Sequence, residues 1–86
     1  MKNLKSLYQI SPERRGVYFF NYLRAFQPSL LFKRDWIITS NGKVLGWGHW
    51  RGSHLRITSR TEWTKAKTPI LDADKFYSFI LTADEN

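Results

Sequence analysis

One run of eleven residues, Gly46-Trp47-Gly48-His49-Trp50-Arg51-Gly52-Ser53-His54-Leu55-Arg56, holds both histidines, two of the four tryptophans and three of the five glycines. It also contributes Arg51 and Arg56, and Arg60 follows closely. A guanidinium is a planar, permanently charged fork that pairs with phosphate oxygens and guanine edges. An indole offers a stacking surface for bases. An imidazole takes up or gives away a proton near neutral pH, or ligates a metal. Three chemistries are therefore open: nucleic-acid binding, metal binding, and acid–base work on a phosphodiester.

The last two need partners that the spacing does not supply. Two histidines are an incomplete ligand set, and the nearest acidic residues in the chain are Asp35 and Glu62; no metal site is expected. A ribonuclease-like centre would combine a histidine with Arg56 and a tyrosine or Glu62, converging on one cleft. Short loops on a small sheet offer little cleft, so a non-enzymatic protein without cofactor is expected.

Charge points toward an anionic partner. The 86 residues carry 14 Lys and Arg against 7 Asp and Glu, a formal net charge of +7. Residues 33–67 hold eight of the basic and two of the acidic side chains, whereas residues 68–86 hold one and four. The excess is thus placed in the middle of the chain, where it can act on one partner. Glu13-Arg14-Arg15 adds a candidate phosphate contact; two arginines at a helix start oppose the dipole there. Cysteine is absent, which removes disulfides and thiolate sites. No run is long and apolar enough for an export signal or a membrane span, so a cytoplasmic protein is expected.

The elements that must position these residues read as one small domain: an arm over 1–10, a helix over 11–27, a three-stranded sheet within 35–62 and a helix over 72–84. Ser11-Pro12 is a helix start, serine as N-cap and proline in the first turn. Phe19, Leu23 and Phe26 form its apolar stripe, and Pro28 ends it. Asn41-Gly42 is a hairpin turn and Gly52-Ser53 a second. Asp72 is an N-cap, with Leu71 able to staple onto Phe76. Residues 64–71 read as a loop. The expected fold is α+β: an N-terminal helix, a three-stranded antiparallel meander, and a C-terminal helix packed on the sheet.

Two-residue turns fix the register. Ser40 pairs with Lys43, Ile38 with Leu45 and Trp36 with Trp47; Arg51 pairs with His54, His49 with Arg56 and Trp47 with Thr58. Paired residues share a face. The inward face is then Ile37, Val44, Trp50, Leu55 and Ile57, with Gly46 and Gly48 leaving room for a helix. Phe20 and Leu23 of the first helix, and Phe76 and Ile80 of the last, complete the expected core. The outward face is Trp36, Ile38, Leu45, Trp47, His49, Arg51, His54, Arg56, Thr58 and Arg60. The amino-terminal helix could cover either face.

In arrangement, three antiparallel strands followed by a helix are similar to the plant AP2-type and integrase amino-terminal DNA-binding domains. That resemblance implies DNA read by the open sheet face. The expected binding residues are Arg51, Arg56, Arg60, Trp47, His49 and His54, with Lys33, Arg34, Lys43, Lys65 and Lys67 reaching flanking phosphates. Duplex DNA is the favoured partner. The alternatives are docking on an acidic protein, in the manner of a phage- or plasmid-type modulator, and third, a small ribonuclease toxin.

Overall fold

Residues 2–59 and 68–85 are described by a computed structural model of the chain. The order is α1 (Lys2–Tyr8), α2 (Pro12–Phe26), a short 3-10 turn (Pro28–Leu30), β1 (Asp35–Ser40), β2 (Lys43–Arg51), β3 (His54–Thr58), β4 (Ile70–Asp72) and α3 (Ala73–Glu85). The class is α+β. The stretch read as an arm is in fact largely the helix α1, whose Leu7 is fully buried.

Local chemistry sets the element ends. The Ser11 hydroxyl accepts a bond from the Arg14 amide at 3.3 Å, with Pro12 in the first turn, and α2 stops before Pro28. One Asp72 carboxylate oxygen accepts from the Asp74 and Lys75 amides at 2.9 and 3.2 Å, capping α3. Asn41 and Gly42 have φ of 53° and 80°, the left-handed pair that a tight hairpin demands, and Gly52 supplies φ 60° at the second turn.

The sheet is four-stranded in the order β3-β2-β1-β4, not a three-stranded meander. The added strand β4 lies parallel to β1, pairing Ile37 with Ile70 and Ile38 with Leu71. The Ile37 amide donates to the Pro69 carbonyl at 2.9 Å. This parallel edge strand departs from the pattern on which the likeness to AP2-type domains rests.

Register is as expected between β2 and β3, where Trp50 faces Leu55, His49 faces Arg56 and Arg51 faces His54. Between β1 and β2 it is not. Ser40 pairs with Lys43 and Thr39 with Val44, but Ile38 then pairs with Gly46 and Trp36 with Gly48. The extra residue, Leu45, is a β-bulge, and it inverts the parity of β1 relative to the rest of β2. Trp36 and Ile38 therefore point inward and are fully buried, whereas Val44 is 38% exposed. Ile37 shares the outer face with its neighbours Trp47 and Ile70.

Large side chains opposite glycine explain why this register holds. A side-chain carbon on Gly48 would touch the Ile38 and Leu55 methyls, and one on Gly46 would collide with the Thr58 carbonyl. The two glycines thus admit strand side chains and a neighbouring strand's backbone, not a helix. The glycine that does admit a close crossing of helix on strand is Gly16 of α2, which lies against the backbone of Ser53 and His54.

Phe19 of α2 joins the layers. Its ring meets Trp36, Trp50 and Phe76 edge-on, with centroids at 5.0, 5.1 and 5.5 Å. Sheet, α2 and α3 share this one core, and α1 packs on α3. Leu23, Leu55, Ile57, Phe76 and Ile80 are buried as expected, whereas Phe20 stays at the surface. Both long helices lie on the same side of the sheet.

The register is testable by truncation. Trp36→Ala should cost ~3–5 kcal/mol in urea unfolding, as for a fully buried aromatic. Val44→Ala should stay within about 0.5 kcal/mol, as for an exposed position. Gly46→Ala should cost about 1–3 kcal/mol through overpacking. A greater destabilisation at Val44 than at Trp36 would contradict the bulge.

Candidate nucleic-acid interface

The face turned away from the helices carries the polar half of the run from Gly46 to Arg56. Strand alternation and register place Asp35, His49 and Arg56 in one row across β1, β2 and β3, and Arg51 and His54 in the next row at the β2–β3 turn. Arg51, His54 and Arg56 are exposed, and His49 and Trp47 are half-buried. The Trp47 and His49 rings stand 6.1 Å apart.

The structure adds two carboxylates to this set. Asp35 Oδ1 lies 2.9 Å from His49 Nδ1. Glu13 Oε2, on the first turn of α2, lies 3.5 Å from His54 Nδ1. An ionised carboxylate only accepts, so Nδ1 of His49 carries the hydrogen and donates it. Nε2 is then left as the free position of that ring in its neutral form. Asp35 meets His49 because the bulge slides Gly48 opposite Trp36; with the unbulged register, Asp35 would fall opposite Gly48 on the other face. Glu13 meets His54 because Gly16 lets α2 close onto the second turn.

The other expected binding residues divide. Arg34 is exposed beside the same end of the sheet, and its carbonyl accepts from the Trp50 amide at 2.7 Å. The Lys33 ammonium sits 5.2 Å from the Phe32 ring centroid, and its carbonyl accepts from the Trp36 indole at 3.1 Å. Lys43 is exposed but lies at the opposite end of the sheet, at the first hairpin turn. Arg60, Lys65 and Lys67, with Glu62 and Trp63, lie outside the described residues. Arg15 is buried: its Nε donates to the Ile10 carbonyl at 3.0 Å, and its guanidinium lies over the Tyr8 ring. Burial lowers its pKa, opposed by Tyr8 and Glu13. Arg14 is exposed and donates to the Tyr18 hydroxyl at 3.0 Å.

Two hollows flank these elements. A groove of about 840 Å³ runs between α2, β4 and α3, lined by Tyr22, Phe26, Ile70, Asp72 and Phe79 among others. Phe26 and Ile70 are 63% and 60% exposed on it. Burial, then Asp72, pushes the Tyr22 hydroxyl pKa up. A smaller hollow of about 340 Å³ lies beside the second turn, lined by Glu13, Arg14, Val17, Tyr18 and Ser53. Among the described residues there is no group of three or more potential metal ligands, and no helix long and apolar enough to cross a membrane.

Comparison with protein-family models, curated proteins and solved structures finds no match for this chain.

The Asp35–His49 pair gives a direct prediction. Nitrogen chemical shifts of the His49 ring above its titration should report the Nδ1–H tautomer, and Asp35→Ala should abolish that preference. The same variant should cost less than about 1 kcal/mol, since the pair is solvent-accessible. A dominant Nε2–H tautomer would contradict the geometry.

Proposed function

We propose that the protein binds nucleic acid through the corner of the sheet formed by β2, β3 and their turn. The observation that carries this reading is the exposure of Arg51 and Arg56, with His49 and His54 between them, on the sheet face opposite both long helices. A chain of net charge +7 supplies long-range attraction to a polyanion. Arg34 and Arg14 extend the cationic rim, while Asp35 and Glu13 temper it close to the histidines.

The fourth strand changes how a duplex would be met. Three strand spacings of about 4.8 Å make the sheet ~14 Å across between its outer strand axes. The major groove is about 12 Å wide. The whole sheet does not enter it; the β2–β3 end alone is narrow enough, with its arginines on phosphates and base edges. A single strand laid across that corner meets the same groups.

The reading is tested by salt titration of binding to fluorescent duplex DNA, single-stranded DNA and RNA of equal length. Removing one arginine–phosphate pair flattens the slope of log affinity against log salt by about 0.9 on B-DNA and about 0.7 on single strands. Replacing both Arg51 and Arg56 by glutamine should therefore flatten it by about 1.8 or about 1.4, for two such pairs. Lys43→Gln, at the far end of the sheet, should leave it unchanged. An unchanged slope in the double variant removes this corner as the site. Absence of binding to any of the three ligands at low salt would favour an acidic protein as the partner instead.

A further inference from the structure

Sequence spacing alone leaves the histidines without acid–base partners. The structure supplies them, and the register adds a pattern. His49 faces Arg56 and Arg51 faces His54, so their four Cα positions form a rectangle on one face of the sheet, with histidines on one diagonal and arginines on the other. Diagonal neighbours on an antiparallel pair have Cα atoms about 7–8 Å apart. At that spacing, long side chains on one face can reach a common ligand.

We propose that this quartet is an RNA phosphodiester-transfer site, with His49 as general base, His54 as general acid, and Arg51 and Arg56 holding the phosphate. The proposal rests on the reading that nucleic acid binds this corner. Each imidazole meets a carboxylate at Nδ1, Asp35 for His49 and Glu13 for His54. Nε2 of His49 is thereby left for substrate, and a protonated His54 carries a hydrogen on both nitrogens and can donate from either. Neutral His49 takes the proton of a ribose 2′-hydroxyl at Nε2. The 2′-oxygen attacks the adjacent phosphorus, forming a new O–P bond. The bond from phosphorus to the 5′-oxygen of the next nucleotide breaks, and that oxygen receives the proton of the His54 imidazolium. The products are a 2′,3′-cyclic phosphate and a 5′-hydroxyl, and no co-reactant is consumed. Two guanidiniums fixed where charge builds on the phosphoryl oxygens stabilise the transition state.

Each ring is faced by one carboxylate and one arginine. His49 is faced by Asp35 from β1, Arg56 from β3 and Trp47 on its own strand. His54 is faced by Glu13 from α2 and Arg51 from β2, with Arg14 beside Glu13 on α2. Catalysis needs one ring neutral and the other protonated, so the rate should be bell-shaped in pH. Asp35 is a positioning residue: it holds the tautomer that leaves Nε2 free to accept.

The experiment uses the purified full chain, a fluorescent 12-nucleotide RNA and its all-deoxy counterpart, in the presence of EDTA. The RNA should be cut to a 2′,3′-cyclic phosphate, identified by mass, and the DNA should be bound but left intact. His49→Gln and His54→Gln should each slow cutting by about 10²–10⁴-fold. Both should retain the wild-type circular dichroism. Asp35→Asn should slow cutting comparably, because its amide would donate to Nδ1 and hold the wrong tautomer; Asp35→Glu should recover part of the rate. Wild-type protein that binds the DNA yet leaves RNA intact overturns the transfer site and leaves the binding reading standing. Binding of neither strand overturns both. Cutting that is flat in pH, or equal in the wild type and in a variant lacking both histidines, also overturns the transfer site.

Discussion

One extra residue in β2 governs this molecule. Leu45 bulges between the pairs Thr39–Val44 and Ile38–Gly46, and from that point every side chain of β1 is reversed relative to a continuous ladder. The reversal sends Trp36 and Ile38 into the core and leaves Asp35 on the outer face. A ladder without it would expose an indole and an isoleucine and bury a carboxylate. The bulge is thus favoured by burial on one side of the sheet while it builds the candidate site on the other.

The inner side shows how the gain is secured. Phe19 packs edge-on against Trp36, Trp50 and Phe76, so a single ring ties α2 to two strands and to α3. Glycines at 46 and 48 leave the volume that Ile38, Leu55 and the Thr58 carbonyl occupy. With both long helices on this face, the basic residues of β2 and β3 stand on the other. Gly16 completes the arrangement by bringing the first turn of α2, with Glu13, to the edge of that basic corner.

Much of this is legible in the sequence where a local rule decides the outcome. Ser11-Pro12, Asn41-Gly42, Gly52-Ser53 and Asp72 each specify a cap or a turn by backbone chemistry, and each does so in the structure. The pairing of β2 with β3 follows from its turn, and with it the shared face of His49, Arg51, His54 and Arg56. The bulge is not local: it depends on which face can bury Trp36, and that is settled by α2 and α3. A clue is present in the side-chain volumes, since large Trp36 and Ile38 opposite small Gly48 and Gly46 fill space better than Trp36 opposite Trp47. Strand β4 is three residues long and owes its existence to the free edge of β1, so no periodicity announces it. The carboxylate partners of the histidines are hidden for the same reasons: Asp35 needs the bulge, and Glu13 needs the close approach at Gly16.

The central claim is that the corner carrying Arg51, His54, His49 and Arg56 is the surface that meets nucleic acid. The most direct measurement is a map of backbone amide shifts on adding a 2′-O-methyl RNA oligonucleotide, which binds without offering a 2′-hydroxyl for transfer. The account predicts that the perturbed amides cluster at residues 47–56 and the first turn of α2, with Lys43 and the groove between α2 and α3 unaffected. Shifts confined to Tyr22, Phe26 and Phe79, with none at residues 49–56, would contradict it.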